Sequence, residues 1–286
     1  MKISGFTIVR NALLMGYPAK ESIESILPLC DEFIVNVGDS DDDTPELIQS
    51  IGSDKLIILH TKWDENIRQG GQILSQQTNV ALSACTGDWA FYLQSDEVIH
   101  EKEHPYLLEK MREYLENPAV EGLSFRYLHF YGSYQYVQDN YRRWYPREVR
   151  IVRKSEDIVS WGDAMDFRHK DGSKLAVARI KSHVYHYGWV KTPQKMLNKK
   201  KSLDKLWHDD TWISREYQDR QEFDYPDRSF LVKFKGAHPH VMQQRVAAFA
   251  APFDPRKTFL RCYPIRKARA VLYPLSKRIK RVFGKF

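Results

Sequence analysis

The chain has 286 residues, of which 42% are hydrophobic and 13% aromatic, which is enough for a packed core and argues against a disordered protein. The net charge of +7 is uneven: residues 255–286 carry eleven Lys and Arg and no acid, which leaves 33 basic and 37 acidic residues before Pro255. An acidic body argues against a nucleic-acid-binding protein, and no apolar run reaches the roughly 18 residues of a membrane span. We expect no signal peptide, and three scattered cysteines form neither a disulfide framework nor a zinc motif, as suits a reducing cytoplasm.

The first 120 residues alternate between strand-like and helix-like patterns. Buried strands are predicted at 3–9, 32–37, 55–60 and 89–94. Helices are predicted around 18–30, 46–51, 70–85 and 103–116, with Thr44 as the N-cap of the second and Pro45 as its first residue. This alternation predicts βαβ units and a parallel sheet.

After residue 120 the pattern changes to aromatic strand-like segments without alternating helices. These segments are 120–137, 147–153, 174–180 and 183–189, and helical patterns return at 192–208 and 239–250. The first part is typical of a nucleotide-binding α/β half, and the second of a surface built for an acceptor.

Polar side chains follow each of the first four predicted strands. The carboxyl ends of parallel strands share one edge of an open sheet, and ligands bind beyond that edge. We therefore expect the four polar clusters to converge on one rim. They are Arg10-Asn11, Gly38-Asp39-Ser40, Trp63-Asp64-Glu65-Asn66 and Gln94-Ser95-Asp96-Glu97.

The fourth strand ends in two adjacent carboxylates, Asp96 and Glu97. Acids at a strand end are often simply solvated, and that explanation stays open. The alternative is a divalent cation, because Mn²⁺ and Mg²⁺ prefer carboxylate oxygens and can neutralise charge on a leaving diphosphate.

Residues 79–101, NVALSACTGDWAFYLQSDEVIHE, resemble the central block of GT-A-fold glycosyltransferases of the large family-2-like group. Asn79, Gly87 and Asp96 fall where that group has its Asn, its Gly and the second Asp of Asp-x-Asp. TIVRNALL and ESILPLCDEFIVNVGDSDDDTPELI resemble its N-terminal block. The resemblance covers residues 3–120 well and 145–190 weakly. It departs at Gln94, which replaces the first Asp and offers no charge, and at Thr78, which replaces an Arg.

The resemblance implies a GT-A-type fold: a mixed, mainly parallel sheet flanked by helices, here with a C-terminal helical and basic extension. It implies a hexosyltransferase-like glycosyltransferase that moves a sugar from a nucleoside-diphosphate sugar to a glycan or lipid-linked acceptor in surface polysaccharide synthesis. The expected parts are a nucleotide-sugar-binding half (1–120), an acceptor-side half (121–254) and a basic amphipathic tail (255–286).

The same resemblance implies a set of binding residues. The nucleotide would contact Arg10, Asn11, Asp39, Asn79, Gln94 and Ser95, although ordinary turn chemistry also explains Asp39. A divalent cation, Mn²⁺ or Mg²⁺, would bind Asp96, Glu97 and a C-terminal His. His183 and His186 are an odd number of residues apart on a strand and face opposite ways, and we favour His186, beside the Tyr187-Gly188-Trp189 turn.

An inverting transferase also needs a carboxylate that takes the proton from the acceptor hydroxyl. We favour Asp163, which follows Trp161, a possible sugar-stacking platform, and then Asp166. Glu156-Asp157 is an alternative that instead has the pattern of a hairpin turn. Loop acids without a catalytic role remain a competing explanation for all of them.

The tail places Leu275, Ile279, Val282, Phe283 and Phe286 on one helical face among basic residues. The expected location is the cytoplasm. Such a segment suits contact with an anionic surface at the inner face of the membrane, and a solvated tail, or one packed on the body, stays open as the alternative. Gln94 and the missing Arg also leave open a non-catalytic nucleotide- or carbohydrate-binding protein of the same fold. A nucleotidyltransferase is disfavoured because TIVRNALLMGYP lacks a Gly-rich phosphate loop.

Overall fold

The computed structural model describes residues 1–138, 144–225 and 231–251. The first elements are β1 (Ile3–Val9), α1 (Ala12–Met15), α2 (Ala19–Ile26), β2 (Glu32–Gly38), α3 (Thr44–Gln49), β3 (Leu56–Thr61), α4 (Gln72–Ala84) and β4 (Trp89–Tyr92). The next are β5 (Glu97–Ile99), α5 (His104–Leu115), β6 (Gly122–Tyr131), β7 (Tyr136–Gln138), β8 (Arg147–Arg153), β9 (Ile158–Trp161), β10 (Asp166–His169) and β11 (Val177–Trp189). The last are α6 (Pro193–Asp204), α7 (Asp210–Tyr217), β12 (Leu231–Lys233) and α8 (Gln243–Ala248).

Most of these strands belong to one sheet with the order β12-β7-β6-β8-β4-β1-β2-β3. β3, β2, β1 and β4 are parallel, as the alternation of strands and helices predicts. β8 is antiparallel between β4 and β6, while β11 runs parallel to β6 and pairs with β5 on its other edge. The sheet is therefore continuous from the first half of the chain into the second.

The central strands are buried on both faces, as expected when helices cover both sides of a parallel sheet. Along β1 the side chains alternate: Ile3 and Val9 join the core with α2 and α5, while Phe6 packs on the other face. That other face is covered by Ala81 and Leu82 of α4 and by Phe167 of the β9–β10 hairpin.

Two local details differ from the sequence predictions. Asp43, not Thr44, is the N-cap of α3, because the buried Thr44 hydroxyl accepts a hydrogen bond from the Ala12 amide (2.7 Å) and Thr44 is the first helical residue. Glu156 and Asp157 do form a turn, but it is not a hairpin turn: β8 pairs with β4 and β6, whereas β9 pairs with β10.

The mixed, mainly parallel sheet flanked by helices that the sequence predicts is confirmed by this topology. The predicted basic tail, 255–286, lies outside the described residues. The division into a nucleotide half and an acceptor half stays a prediction. Within the described ranges, no helix combines the length and apolarity needed to cross a membrane.

Candidate active site

A cleft of about 770 Å³ opens at the carboxyl ends of β1, β3 and β4. The rim supplies Arg10 and Asn11 after β1 and Gln94, Ser95 and Asp96 after β4. The second half of the chain also lines the cleft, through residues 163–164, the end of β11 and helix α6. The convergence expected at the strand ends is therefore present for most of the clusters.

The predicted site residues divide into two groups. Those that line the cleft are Arg10, Asn11, Gln94, Ser95, Asp96, Asp163 and His186. Asp39, Asn79, Glu97 and Asp166 do not line it. The roles assigned to all of them from the sequence stay predictions; their positions show which roles are geometrically open.

Arg10 is held by the loops that follow β2 and β3. Its Nε donates to the Asp39 carbonyl (2.8 Å), its Nη2 donates to Glu65 (2.9 Å), and its guanidinium lies over the Trp63 ring. The Asp39 carboxylate accepts from the Trp63 amide (3.1 Å). Asp39 thus holds Arg10 through its carbonyl oxygen and Trp63 through its carboxylate, and it does not line the cleft.

Asn11 adopts a left-handed backbone conformation (φ 53°), which is uncommon outside glycine and best tolerated by Asn and Asp. Its side chain is clamped to Asp41: the amide nitrogen donates to the carboxylate (3.2 Å) and the oxygen accepts from the Asp41 N–H (2.7 Å). Both Asn11 and Asp41 line the cleft.

Asp96 is buried at the floor of the cleft and has a lysine as its partner. The Lys199 ammonium donates to Asp96 Oδ2 (2.9 Å) and to the Gly188 carbonyl (3.0 Å), and His186 Nε2 lies 3.7 Å from the same Oδ2. The cluster is tight, because a Cβ on Gly188 would lie within 2.8 Å of Asp96 Oδ2, His186 Nε2 and Lys199 Nζ.

The two charges in this pair stabilise each other. Burial disfavours the Asp96 carboxylate, but Lys199 and His186 outweigh burial, so the pKa of Asp96 lies well below its ordinary value. Burial equally disfavours the Lys199 ammonium, but Asp96 outweighs it and raises the pKa of Lys199. Both groups are therefore charged at neutral pH.

A chain of hydrogen bonds fixes the orientation of His186. His129 Nε2 donates to the Tyr145 carbonyl (2.8 Å), and its Nδ1 lies 3.0 Å from His186 Nδ1. Burial, and then His186, lower the pKa of His129 to about 3, so this ring is neutral and its Nδ1 must accept from His186. His186 consequently presents Nε2 to Asp96.

Glu97 points away from the cleft into the core. Its two carboxylate oxygens accept from Arg150 Nε (2.7 Å) and Nη2 (2.8 Å), and Tyr127 donates a third hydrogen bond (2.7 Å). Glu97 and Arg150 are both almost completely buried. A metal ion could bind Glu97 only if this bidentate pair were broken.

Arg150, the partner of Glu97, and Gln94 also support the segment that carries Asp163. Arg150 Nη1 donates to the Met165 carbonyl (3.2 Å), and Gln94 Nε2 donates to the Ala164 carbonyl (3.3 Å). Ala164 has a positive φ of 62°, a strained conformation for a residue with a Cβ. Contacts from β8 and from the segment that follows β4 thus hold this strained turn at the edge of the cleft.

Asp163 lies against Gly71, where a Cβ would approach the Asp163 Cβ to 2.6 Å. Gly71 has φ 70° and is the N-cap of α4, and the Trp207 ring lies next to it. Trp207 therefore offers an aromatic ring near this carboxylate, and Trp189 lines the same cleft.

Asn79 and Asp166 lie elsewhere. Asn79 is a structural link: its side chain accepts from the Ser160 N–H (2.7 Å) and donates to the Ser160 carbonyl (3.3 Å), which ties α4 to β9. Asp166 lines a separate cavity of about 620 Å³ together with Arg168 and Glu148.

The free energy of unfolding should depend on pH through Glu148, which lines that second cavity. Burial, with smaller repulsion from Asp166, raises its pKa from 4.5 to about 7 against the attraction of Arg150. The folded state therefore binds the proton more tightly, and stability contributed by protonated Glu148 is lost as pH rises from 4.5 to about 7. Glu148→Gln should raise the free energy of unfolding by roughly 1–2 kcal/mol at pH 8 and by much less at pH 5, allowing for solvent screening. Urea unfolding at both pH values measures this, and an equal effect at both would contradict it.

Helix α6 is the part of the cleft for which the sequence analysis predicted no role. It contributes Lys199 and Lys201, and Lys205 follows at its end. The helical pattern at 192–208 is recognisable, and the run NKKKSLDK is visible within it. Nothing in that local pattern shows that one of these lysines is buried against Asp96, 103 residues earlier.

The donors around Asp96 do not fit a divalent cation in the arrangement that the structure shows. The carboxylate is already paired with an ammonium, Glu97 is committed to Arg150, and Gln94 bonds to a carbonyl. Among the residues with described positions, no three His, Cys, Asp or Glu side chains form a group suited to a metal ion. Use of Mn²⁺ or Mg²⁺ stays a prediction from the sequence resemblance.

No protein-family model matches the chain, and no curated protein matches it. Among solved structures, it is similar to residues 1–349 of TarS from S. aureus in complex with UDP-GlcNAc, with 16% identity and a TM-score of 0.40 over 80% of this chain and 70% of that one. It is also similar to a longer TarS chain, with 15% identity and a TM-score of 0.39, again over 80% of this chain.

A third similarity is to glucosyl-3-phosphoglycerate synthase from Mycobacterium tuberculosis in complex with Mn²⁺, UDP and phosphoglyceric acid. Its identity is 23% and its TM-score 0.32, over 44% of this chain. This chain spans 42% of the length of the longer TarS chain and 43% of the synthase. All of these solved structures are less than 25% identical to this chain.

Proposed function

We propose that the protein is a glycosyltransferase that moves a sugar from a nucleoside-diphosphate sugar to a hydroxyl of a glycan or lipid-linked acceptor. One observation carries the proposal. A single cleft joins the strand-end residues Arg10 and Asn11, a buried ion pair at Asp96, and a carboxylate from the second half, Asp163. Ligands of open α/β sheets bind at this edge.

The β1 and β3 loops are suited to the nucleoside. Arg10 is held in place by Asp39 and Glu65, and Asn11 by Asp41, so both side chains are preorganised before a ligand arrives. Planar guanidinium and amide groups can bond to base edges, ribose hydroxyls or phosphate. The neighbouring Trp63 ring adds an aromatic face to the same wall.

The α6 wall is suited to the diphosphate. Lys199 and Lys201 of α6, with Lys205 at its end, bring positive charge to the cleft. Positive groups preorganised where a leaving diphosphate gains negative charge would lower the barrier to sugar transfer.

Asp163 is the proposed general base. In an inverting transfer the acceptor oxygen bonds to the anomeric carbon, the bond from that carbon to the diphosphate oxygen breaks with its electron pair, and the acceptor proton passes to the carboxylate. Asp163 lines the cleft, whereas Asp166 lines the second cavity, which favours Asp163 of the two acids. Trp207, which lies next to Gly71 as Asp163 does, would stack on a sugar ring there.

The finer assignments belong to the same proposal. We propose a hexosyl donor and a role in surface polysaccharide synthesis, carried out in the cytoplasm at the inner face of the membrane. The support is the basic amphipathic sequence of 255–286, which suits anionic lipid, together with buried free thiols at Cys30 and Cys85, which suit a reducing compartment.

A panel of UDP- and GDP-sugars tests the activity. Thermal shift reports binding, and release of the nucleoside diphosphate, with and without acceptor extracts, reports turnover. We expect one donor to stabilise the protein and to be cleaved. Stabilisation by a nucleotide without cleavage of any donor would instead favour the non-catalytic binding protein, and no response to any nucleotide would contradict both functions.

A further inference from the structure

Helix α6 carries Lys199 to the floor of the cleft, where its side chain is 8% exposed. Two of its three N–H groups donate to Asp96 Oδ2 and to the Gly188 carbonyl. In the part of the chain that the structure describes, no hydrogen bond takes the third. Because Lys199 lines the cleft, an anion bound there can accept a hydrogen bond from this third N–H group.

The ammonium occupies the position that a metal ion on Asp96 would need. A cation shared by Asp96 Oδ2 and His186 Nε2, which lie 3.7 Å apart, would have to lie beside Lys199 Nζ, 2.9 Å from the same Oδ2. Two cations that close in a site with little water repel strongly. The glycine at 188 is what allows these three side chains to meet, since any Cβ there would overlap all of them.

The ammonium is held by direct contacts, since Lys199 Nζ lies 2.9 Å from Asp96 Oδ2 and 3.0 Å from the Gly188 carbonyl oxygen. Asp96 fixes the ammonium in one place, as a carboxylate ligand fixes a metal ion. The position is thus charged and oriented before the donor binds.

Other residues around the pair agree with this arrangement. Glu97, the second acid of the strand-end motif, has both oxygens bound by Arg150, and Gln94 carries no charge. Lys201 on the same helix also faces the cleft. Lys199 is therefore anchored beside Asp96, and Lys201 adds a second cation to the same cleft.

We propose that Lys199, oriented by Asp96, is the cation that binds the diphosphate of the donor, and that donor binding requires no divalent metal ion. The proposal rests on the function proposed above. As the bond between the sugar and the diphosphate breaks, its electron pair moves to the phosphate oxygen, which accepts a hydrogen bond from Lys199. Lys199 keeps its proton, and the acceptor proton goes to Asp163.

Calorimetric titration of the full chain with UDP and with GDP tests this, first in EDTA and then in Mn²⁺. We expect one nucleotide to bind in EDTA, with a Kd that changes by less than about threefold in Mn²⁺. Lys199→Met should weaken that binding by about tenfold to a hundredfold, which corresponds to loss of a charged hydrogen bond. Lys200→Met, the adjacent residue on α6 that pairs with Asp204 outside the cleft, should bind as the native chain does.

Removal of Lys199 leaves Asp96 buried without its main partner, so circular dichroism must show that the variant folds. The double variant Asp96→Asn/Lys199→Met, neutral at both positions, is expected to show the same loss of binding. Nucleotide binding that appears only with Mn²⁺, or unchanged affinity in a folded Lys199 variant, would overturn the metal-independent role of Lys199 while leaving the glycosyltransferase proposal standing. Absence of binding to UDP and GDP under both conditions would overturn both.

Discussion

Asp163→Asn is expected to lower the rate of sugar transfer by about 10²–10⁴-fold, the range for loss of a general base, and to leave donor affinity within about threefold. The carboxylate lies at the edge of the cleft on a turn held by Gln94 and Arg150, so its position does not depend on its own charge. Asn is of the same size and cannot accept the proton. Release of nucleoside diphosphate measures the rate, and calorimetry measures donor affinity.

Asp166→Asn is the matched comparison for this variant. Asp166 is three residues away from Asp163, but it lines the second cavity. Its carboxylate accepts a hydrogen bond from the N–H of the next residue, Phe167 (2.9 Å). We expect transfer by Asp166→Asn to stay within about threefold of the native rate, because proton transfer requires hydrogen-bond contact with the reacting group. Native turnover in Asp163→Asn would assign the base to another residue.

Glu97→Gln is expected to lower the free energy of unfolding by about 3–5 kcal/mol, the range for breaking one side of a buried ion pair. The change leaves the Arg150 guanidinium, 1% exposed, without its bidentate carboxylate. Arg150→Met should cost a similar amount, because it strands the Glu97 charge. The double variant should lose less than the sum of the two, since no buried charge remains unpaired.

Urea unfolding of the three variants measures these free energies. Lys200→Met is the control, because its pair with Asp204 lies one turn along α6, is partly exposed, and should contribute less than about 1 kcal/mol. A loss below about 1 kcal/mol in Glu97→Gln would show that the pair is not the buried support described here. Sugar transfer by Glu97→Gln should also be slower than by the native chain, since Arg150 holds the turn next to Asp163.

The first half of the fold was predictable because its signal is local. β1 to β4 and their helices are marked by apolar runs, caps and turns within a few residues, and parallel alternation then places Arg10, Asn11 and Asp96 on one edge. The second half was less predictable, since the antiparallel insertion of β8 between β4 and β6 depends on contacts between segments far apart in sequence.

The site separates local from long-range information in the same way. Asp96 lies in the turn between β4 and β5, whereas Glu97 begins β5, so the two adjacent acids point in different directions, Asp96 to the cleft and Glu97 to Arg150. Successive side chains of a strand point to opposite faces, which predicts different faces for His183 and His186 of β11. His186 lines the cleft and His183 does not. The partner of Asp96 was not predictable, because Lys199 is 103 residues away on a helix whose neighbouring lysines have the same local pattern.

Asn79 shows the limit of motif matching. It matches the sequence block that points to a nucleotide site, yet its side chain bonds to the Ser160 backbone and joins α4 to β9. Motif position alone cannot separate a residue that contacts a ligand from one that holds the surrounding scaffold. Only the direction of the side chain, which depends on the packing of β9, separates the two.

A crystal structure of the full chain with the nucleoside diphosphate that binds most tightly, grown in EDTA, tests the central claim most directly. We predict that the nucleoside lies between Arg10 and Asn11 and that a diphosphate oxygen lies within hydrogen-bond distance of Lys199 Nζ, with Asp96 still paired to that lysine. A nucleotide bound outside this cleft, or a diphosphate that makes no contact with Lys199, would contradict the account.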